Sequence, residues 1–234
     1  MTNSMRSLLW LKWQYIVTNK VLLVVVLSPI VDVYLMSLLG PSADAMLLSF
    51  GTGLVYSVTA GSFVTLIVAE EKEKKNIRTL ILTGVHQLDY AISVIAYPLI
   101  LSVLSLILLP FLFQRPVDNW LVYSLVTILT ALAYIAINFV IALVCQTQVQ
   151  AAMCSMLVMA LGSFLPMLMF TNDMVKTVVS FSFFGASSNY LYASTGYQLT
   201  DTSFIALLVW LLLLFYLVGL AFRFNRSHSS TSCV

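Results

Sequence analysis

The chain has 234 residues, 61% of them hydrophobic and 9% charged, with a mean hydropathy of +1.00. Soluble domains carry about 25% charged residues, so this balance excludes a soluble globular protein and leaves an integral membrane one. A net charge of +2 offers no basic field for nucleic acid. Cys145, Cys154 and Cys233 have no metal or disulfide spacing and read as ordinary reduced thiols at cytoplasmic positions.

Taken in chain order, residues 4–19 place Met5, Leu8, Leu9, Trp13, Ile16 and Val17 at three- and four-residue steps. Trp10 and Trp13 suit a headgroup layer, so the spacing predicts a helix lying in the cytoplasmic interface rather than an extension of the first span. Six apolar runs then meet the requirement of about 20 residues for a helical span: 21–39, 46–69, 91–113, 120–145, 151–170 and 204–222. Ala43-Asp44-Ala45 resembles a signal-peptide cleavage site, but the preceding run of 19 residues exceeds the usual apolar region of about 7–15. Runs of this length are helices, because backbone groups in hydrocarbon must be satisfied internally. Pro29, Pro98, Pro110 and Pro166 fall inside them, and each removes one helix hydrogen bond.

Between the fifth and sixth spans lie 33 residues, 171–203. Their apolar stretch from Val175 to Phe184 is too short to cross a bilayer and reads as an outer re-entrant element, with Tyr190, Tyr192 and Tyr197 as interfacial anchors. Arg6, Lys12, Lys20, Lys72, Lys74, Lys75, Arg78, Arg223 and Arg226 share one side, against Arg115 and Lys176 on the other. This bias places both termini and residues 70–90 in the cytosol, in a cytoplasmic (inner) membrane. The expected fold is all-α: a single multi-pass transmembrane domain over 1–234.

Within the spans, Ser49, Gly53, Ser57, Gly61 and Thr65 recur every four residues, a small-residue stripe that lets helices approach closely. Thr127, Thr130, Tyr134 and Asn138 share one face of the fourth span. That face points at protein or water, as interhelical glue or as the lining of a path. Asp32 is sharper, since a carboxylate at a helix centre costs about 2.5–3.5 kcal/mol on insertion scales. It either meets a polar junction between subunits or stays protonated.

Residues 70–85 hold seven of the twenty Lys, Arg, Asp and Glu residues. Glu70–Lys75 is polar, Ile77, Leu80 and Ile81 make an apolar face, and Gly84 is a helix stop. The pattern predicts a short amphipathic cytosolic helix over 70–84; a solvated loop that only fixes topology is the plainer alternative. The carboxylates Glu71 and Glu73 are expected to be cytosolic, so that removing them costs little folding energy.

Glu71-x-Glu73, Asn76-Ile77-x-x-Leu80-x-x-Thr83-Gly84-Val85 and Asp89-Tyr90 resemble the loop after the second span of ABC-2 type permeases, the membrane subunits of many bacterial ABC exporters. Six spans, an amphipathic N-terminal helix and an outer re-entrant element resemble that family too. Lys75 stands where the family usually has Gly, and Asn76 where it has Thr. The basic residue common after the Tyr is absent, with Ala91-Ile92-Ser93 in its place. The resemblance implies that 70–84 is a coupling helix seated in a separate cytosolic ATPase, with Glu71, Glu73, Asn76, Ile77, Leu80 and Gly84 as its coupling residues. It implies two ATPase copies, a second permease copy or a paralogue, and ATP and Mg held by the ATPase rather than by this chain. No G-x-x-x-x-G-K-[ST] occurs, consistent with that division of labour.

An enzyme is the competing class. Glu70-Glu71 with Lys75 resembles the Glu-Glu-x-x-x-Arg motif of CAAX-type intramembrane proteases, but His86 and His228 both fall outside the spans. Ser187 and Ser188 have no intramembrane histidine to activate them. A non-transporting immunity protein is the third reading. For an exporter, the expected substrate is an amphipathic, toxin- or bacteriocin-like peptide, with drugs or other lipophilic compounds as the alternative.

Overall fold

A computed structural model describes residues 2–37, 44–82, 84–112, 117, 119–193 and 196–231. Helix makes up 87% of it and no strand occurs among the described residues, as the need to satisfy backbone groups inside each apolar segment requires. Five helices are long and apolar enough to cross a membrane, or six if one bent pair counts as a span.

That pair is α1 (Thr2–Thr18) and α2 (Lys20–Ser37), whose axes turn by 68° between Met5–Thr18 and Leu22–Asp32. The second apolar run is one unbroken helical rod built of α3 (Asp44–Leu54), a π-helical segment (Val55–Ser62) and α4 (Phe63–Glu73). After a two-residue turn comes α5 (Asn76–Leu82). Then follow α6 (Gln87–Leu112), α7 (Trp120–Val144), α8 (Gln148–Leu168), α9 (Asp173–Ser180), α10 (Gly185–Ala193) and α11 (Thr202–Thr231). The helices overlap the expected spans closely. The ends of the first and third runs (38–39 and 113), Thr83 and Cys233 lie outside the described residues.

Helix α7 is the axle of the bundle. It packs on α11, α6, α8, α4 and the π-helical segment, and Tyr123, Ala133, Tyr134, Phe139 and Leu143 are buried along it. Asn119 starts it by accepting hydrogen bonds from the Leu121 and Val122 amides, groups the first turn of a helix otherwise leaves unpaired.

The four prolines lie inside helices as expected, and two of the carbonyls they free accept a hydrogen bond from a side chain. A proline leaves the carbonyl four residues earlier without its helix partner. For Pro110 that carbonyl is Leu106 O, which accepts from the Tyr123 hydroxyl of α7 at 2.7 Å. For Pro29 it is Val25 O, which accepts from Ser28 Oγ at 3.2 Å. For Pro166 it is Gly162 O, which faces α3 so closely that a Cβ on Gly53 would lie 2.7 Å from it.

The connection over 171–203 differs from expectation in having two helices. Asn172 caps α9, and Met174, Val178 and Phe181 are exposed there. The chain then reverses so tightly that a Cβ on Gly185 would lie 2.3 Å from Val179 O. Helix α10 turns inward with Gly185, Ala186, Ser187 and Ser188 buried. The expected tyrosine anchors also make contacts within the chain: Tyr190 donates to Asn119 O, Tyr192 lies under the Lys176 ammonium, and Tyr197 pairs with Ser203.

Candidate functional site

The charged segment splits in two. Residues 70–73 do not begin the amphipathic helix; they are the last turn of α4. The apolar run of the second span simply continues its helical path until the turn at Lys74 and Lys75, where Lys75 takes φ 58. A left-handed residue of this kind ends a helix and redirects the chain. Helix α5 therefore spans Asn76–Leu82 rather than 70–84, and Gly84, at φ 92, marks its stop as expected.

Three carboxylates in the last turn of a helix oppose its macrodipole, so each needs its own compensation. Glu71 pairs with Lys12 of α1 and accepts a 2.8 Å hydrogen bond from the Tyr90 hydroxyl of α6. Glu70 accepts from the Tyr15 hydroxyl and pairs with Lys74. Glu73 accepts from the Gln148 amide of α8 at 2.9 Å, one of the unpaired donors at a helix start. Lys72 donates to the Leu143 and Cys145 carbonyls, the unpaired acceptors at the end of α7. Four consecutive residues thus bind four different helices: α1, α6, α7 and α8.

Burial sets the weight of these contacts. Lys12 is 1% exposed and Glu71 15%, so their ion pair is largely removed from water. Burial lowers the Lys12 pKa from its ordinary value, while the Glu71 carboxylate acts to raise it. The ammonium also sits 5.2 Å from the Tyr90 ring centre. The expectation that Glu71 is a freely exposed cytosolic carboxylate is therefore corrected: the N-terminal helix folds back over it, and Lys12 and Tyr90 enclose it. Glu73 stays exposed.

On α5 the apolar face turns inward. Ile77 is buried in the main core, and Leu80 packs against it. Asn76 and Thr79 are exposed, as are Lys74 and Lys75. Among the described side chains, the outward surface of the corner is thus Lys74, Lys75, Asn76 and Thr79, while Glu71, Ile77 and Leu80 fasten it from within. Thr79 was not singled out from the sequence, although its place two residues from Ile77 on a short helix would have shown it.

Deeper in the bundle, Thr127, Thr130, Tyr134 and Asn138 are all buried, facing protein. Asn138 is the hub. Its Oδ1 accepts from Thr65 at 2.9 Å and Ser155 at 2.7 Å, and its amide donates to Tyr134 O. Ser155 also meets Ser62, and Ser57 meets Ser163, so hydroxyl pairs join the second-span rod to α8. The small-residue stripe serves this packing: a Cβ on Gly61 would lie 2.3 Å from Asn138 Nδ2. Tyr134 stacks on Tyr56 with 5.5 Å between ring centres. Its hydroxyl, like those of Thr130 and Ser49, has no hydrogen-bond partner among the described residues. Asp32 is not part of this network; it stands exposed on the outer face of α2.

The sequence matches no family model and no curated protein.

Proposed function

We propose that this chain is the permease subunit of an ABC-2 type exporter, moving an amphipathic peptide out of the cell with ATP hydrolysed on a separate chain. The observation that supports this reading most is the corner at 74–79. It presents a small polar surface at the end of a span whose last turn is tied to α1, α6, α7 and α8. A displacement of that corner by a partner is passed to four helices at once, which is what coupling to an external motor requires. Packed helices respond as bistable units rather than deforming continuously.

In this reading the bundle crosses the cytoplasmic membrane six times with both termini inside. Helix α1 lies in the inner interface and α9–α10 forms the outer element. A second permease copy or paralogue covers the exposed Asp32 face of α2, where a carboxylate facing lipid is costly. Two ATPase subunits bind the paired corners, and ATP and Mg belong to them; this chain performs no chemistry itself.

The test is co-purification with the cognate ATPase and measurement of peptide export. Asn76→Arg with Thr79→Arg adds bulk and charge to the outward surface while leaving the buried fastening intact. ATPase binding is expected to fall at least tenfold, the equivalent of about 1.4 kcal/mol, with insertion and thermal stability unchanged. Normal binding and export in that variant would reduce residues 74–84 to a topology-fixing loop.

A further inference from the structure

Helix α1 does more than lean on the bundle. Between it and α6 lies an open groove of about 730 Å³ lined by Arg6, Trp10, Trp13, Gln14 and Tyr97, among others. The Trp13 and Tyr97 rings lie 5.8 Å apart. The Tyr97 hydroxyl donates to Leu9 O at 3.1 Å, fixing the floor of the groove to the α1 backbone. Trp10 is 62% exposed and Trp13 45%. Such rings with a polar N–H and an apolar body fit the headgroup layer.

Charge decides what such a groove admits. Two carboxylates beside α1 are engaged elsewhere: Glu71 with Lys12, and Glu70 with Tyr15 and Lys74. Among the described residues, no carboxylate lines the groove. Arg6 is exposed and makes no ion pair among the described residues, so its planar fork of donors is open to an oxyanion. A cationic amphiphile would meet a like charge there. The 68° turn between α1 and α2 lays α1 across the direction of its neighbour, which sets the groove at the level of lipid phosphates once α2 crosses the bilayer. A volume of this size accepts a headgroup and the first carbons of its chains.

We propose that the α1–α6 groove binds the headgroup of an anionic phospholipid of the cytoplasmic leaflet, with Arg6 contacting the phosphate and Trp10 and Trp13 flanking the glycerol. The site rests on α1 lying in the inner interface and not on the export reading. Loss of ATPase binding would leave it standing, and loss of lipid binding would leave coupling untouched.

The test is lipid retention by the full chain in detergent, followed by native mass spectrometry during titration with phosphatidylglycerol or phosphatidylcholine. Phosphatidylglycerol is expected to bind more tightly, and Arg6→Gln to weaken it about tenfold, as loss of a charge-assisted contact does. Arg6→Lys should recover part of the affinity. Lys20→Gln, which removes an exposed charge outside the groove, should leave it unchanged. Arg6 makes no ion pair among the described residues, so the thermal midpoint should not move in Arg6→Gln. Equal losses in Arg6→Gln and Lys20→Gln, or equal binding of the two lipids, would overturn the site in favour of diffuse surface attraction. Displacement of phosphatidylglycerol by millimolar inorganic phosphate would overturn it in favour of a free-anion site.

Discussion

Lys12 and Glu71 form a pair in which one partner is almost completely removed from water. Breaking a buried pair by deleting one side strands the other charge. Glu71→Ala is therefore expected to lower stability by about 2–4 kcal/mol, somewhat below the range for a fully buried pair because Glu71 keeps some contact with water. Lys12→Met combined with Glu71→Leu should recover most of that loss, since an apolar pair strands no charge. Thermal unfolding in detergent of the single and double variants measures both; an unchanged midpoint in Glu71→Ala would mean the pair is not buried in the folded chain. Tyr134 and Gly162 make a second local test. A Cβ on Gly162 would fall 2.1 Å from the Tyr134 hydroxyl, so Gly162→Ala should cost about 1–3 kcal/mol through overpacking. Tyr134→Phe removes a hydroxyl that has no partner among the described residues. It should be neutral or stabilising by about 1 kcal/mol, and should relieve part of the Gly162→Ala loss.

At the scale of elements, the α4–α5 corner is shaped by one backbone residue. Lys75 adopts φ 58, a conformation that costs a side-chain-bearing residue about 1–2 kcal/mol and glycine almost nothing. Lys75→Gly should stabilise the corner, though the greater freedom of glycine in the unfolded chain offsets part of the gain. A net rise of about 0.5–1 kcal/mol is expected, read as a higher thermal midpoint with lipid binding unaltered. A lower midpoint would mean that the aliphatic stem of Lys75 contributes packing greater than its backbone strain. The prolines follow the same logic of local cost and local answer. Pro110 frees Leu106 O, and the hydroxyl of Tyr123, a residue of the neighbouring helix, occupies it.

For the molecule as a whole, the decisive measurement is orientation. Single cysteines introduced at Ser42 and Asn172, in a background lacking Cys145, Cys154 and Cys233, should react with a membrane-impermeant maleimide in intact cells. A cysteine at Lys74 should react only after permeabilisation. Labelling of position 74 from outside would invert the bundle and remove both the coupling role and the cytoplasmic lipid site. The clasp at the end of α4 gives orientation a structural meaning, because the most charged turn of the chain is also where four helices are held together. In an apolar solvent with no hydrophobic force between helices, such polar contacts, with close packing, fix which helices are neighbours.

The apolar runs, their helical nature and their approximate limits follow from composition alone, because a hydrocarbon solvent leaves the backbone one way to satisfy itself. The inward face of the fourth apolar run was equally legible, since Tyr134 and Asn138 are too polar for lipid, and both are buried. Two things required the tertiary structure. Periodicity assigned Glu70–Glu73 to a free amphipathic helix, whereas the rod of the second apolar run extends through them. Local sequence carries no sign of this, because the partners that stabilise those carboxylates, Lys12, Tyr90 and the Gln148 amide, lie 59, 19 and 75 residues away. The surface open to a partner is likewise a tertiary result: Ile77 and Leu80 look like a docking face in sequence, and only the packing of α5 onto the core turns them inward. Chain spacing determines which residues share a helix face; which face meets solvent is decided by long-range contacts that spacing does not encode.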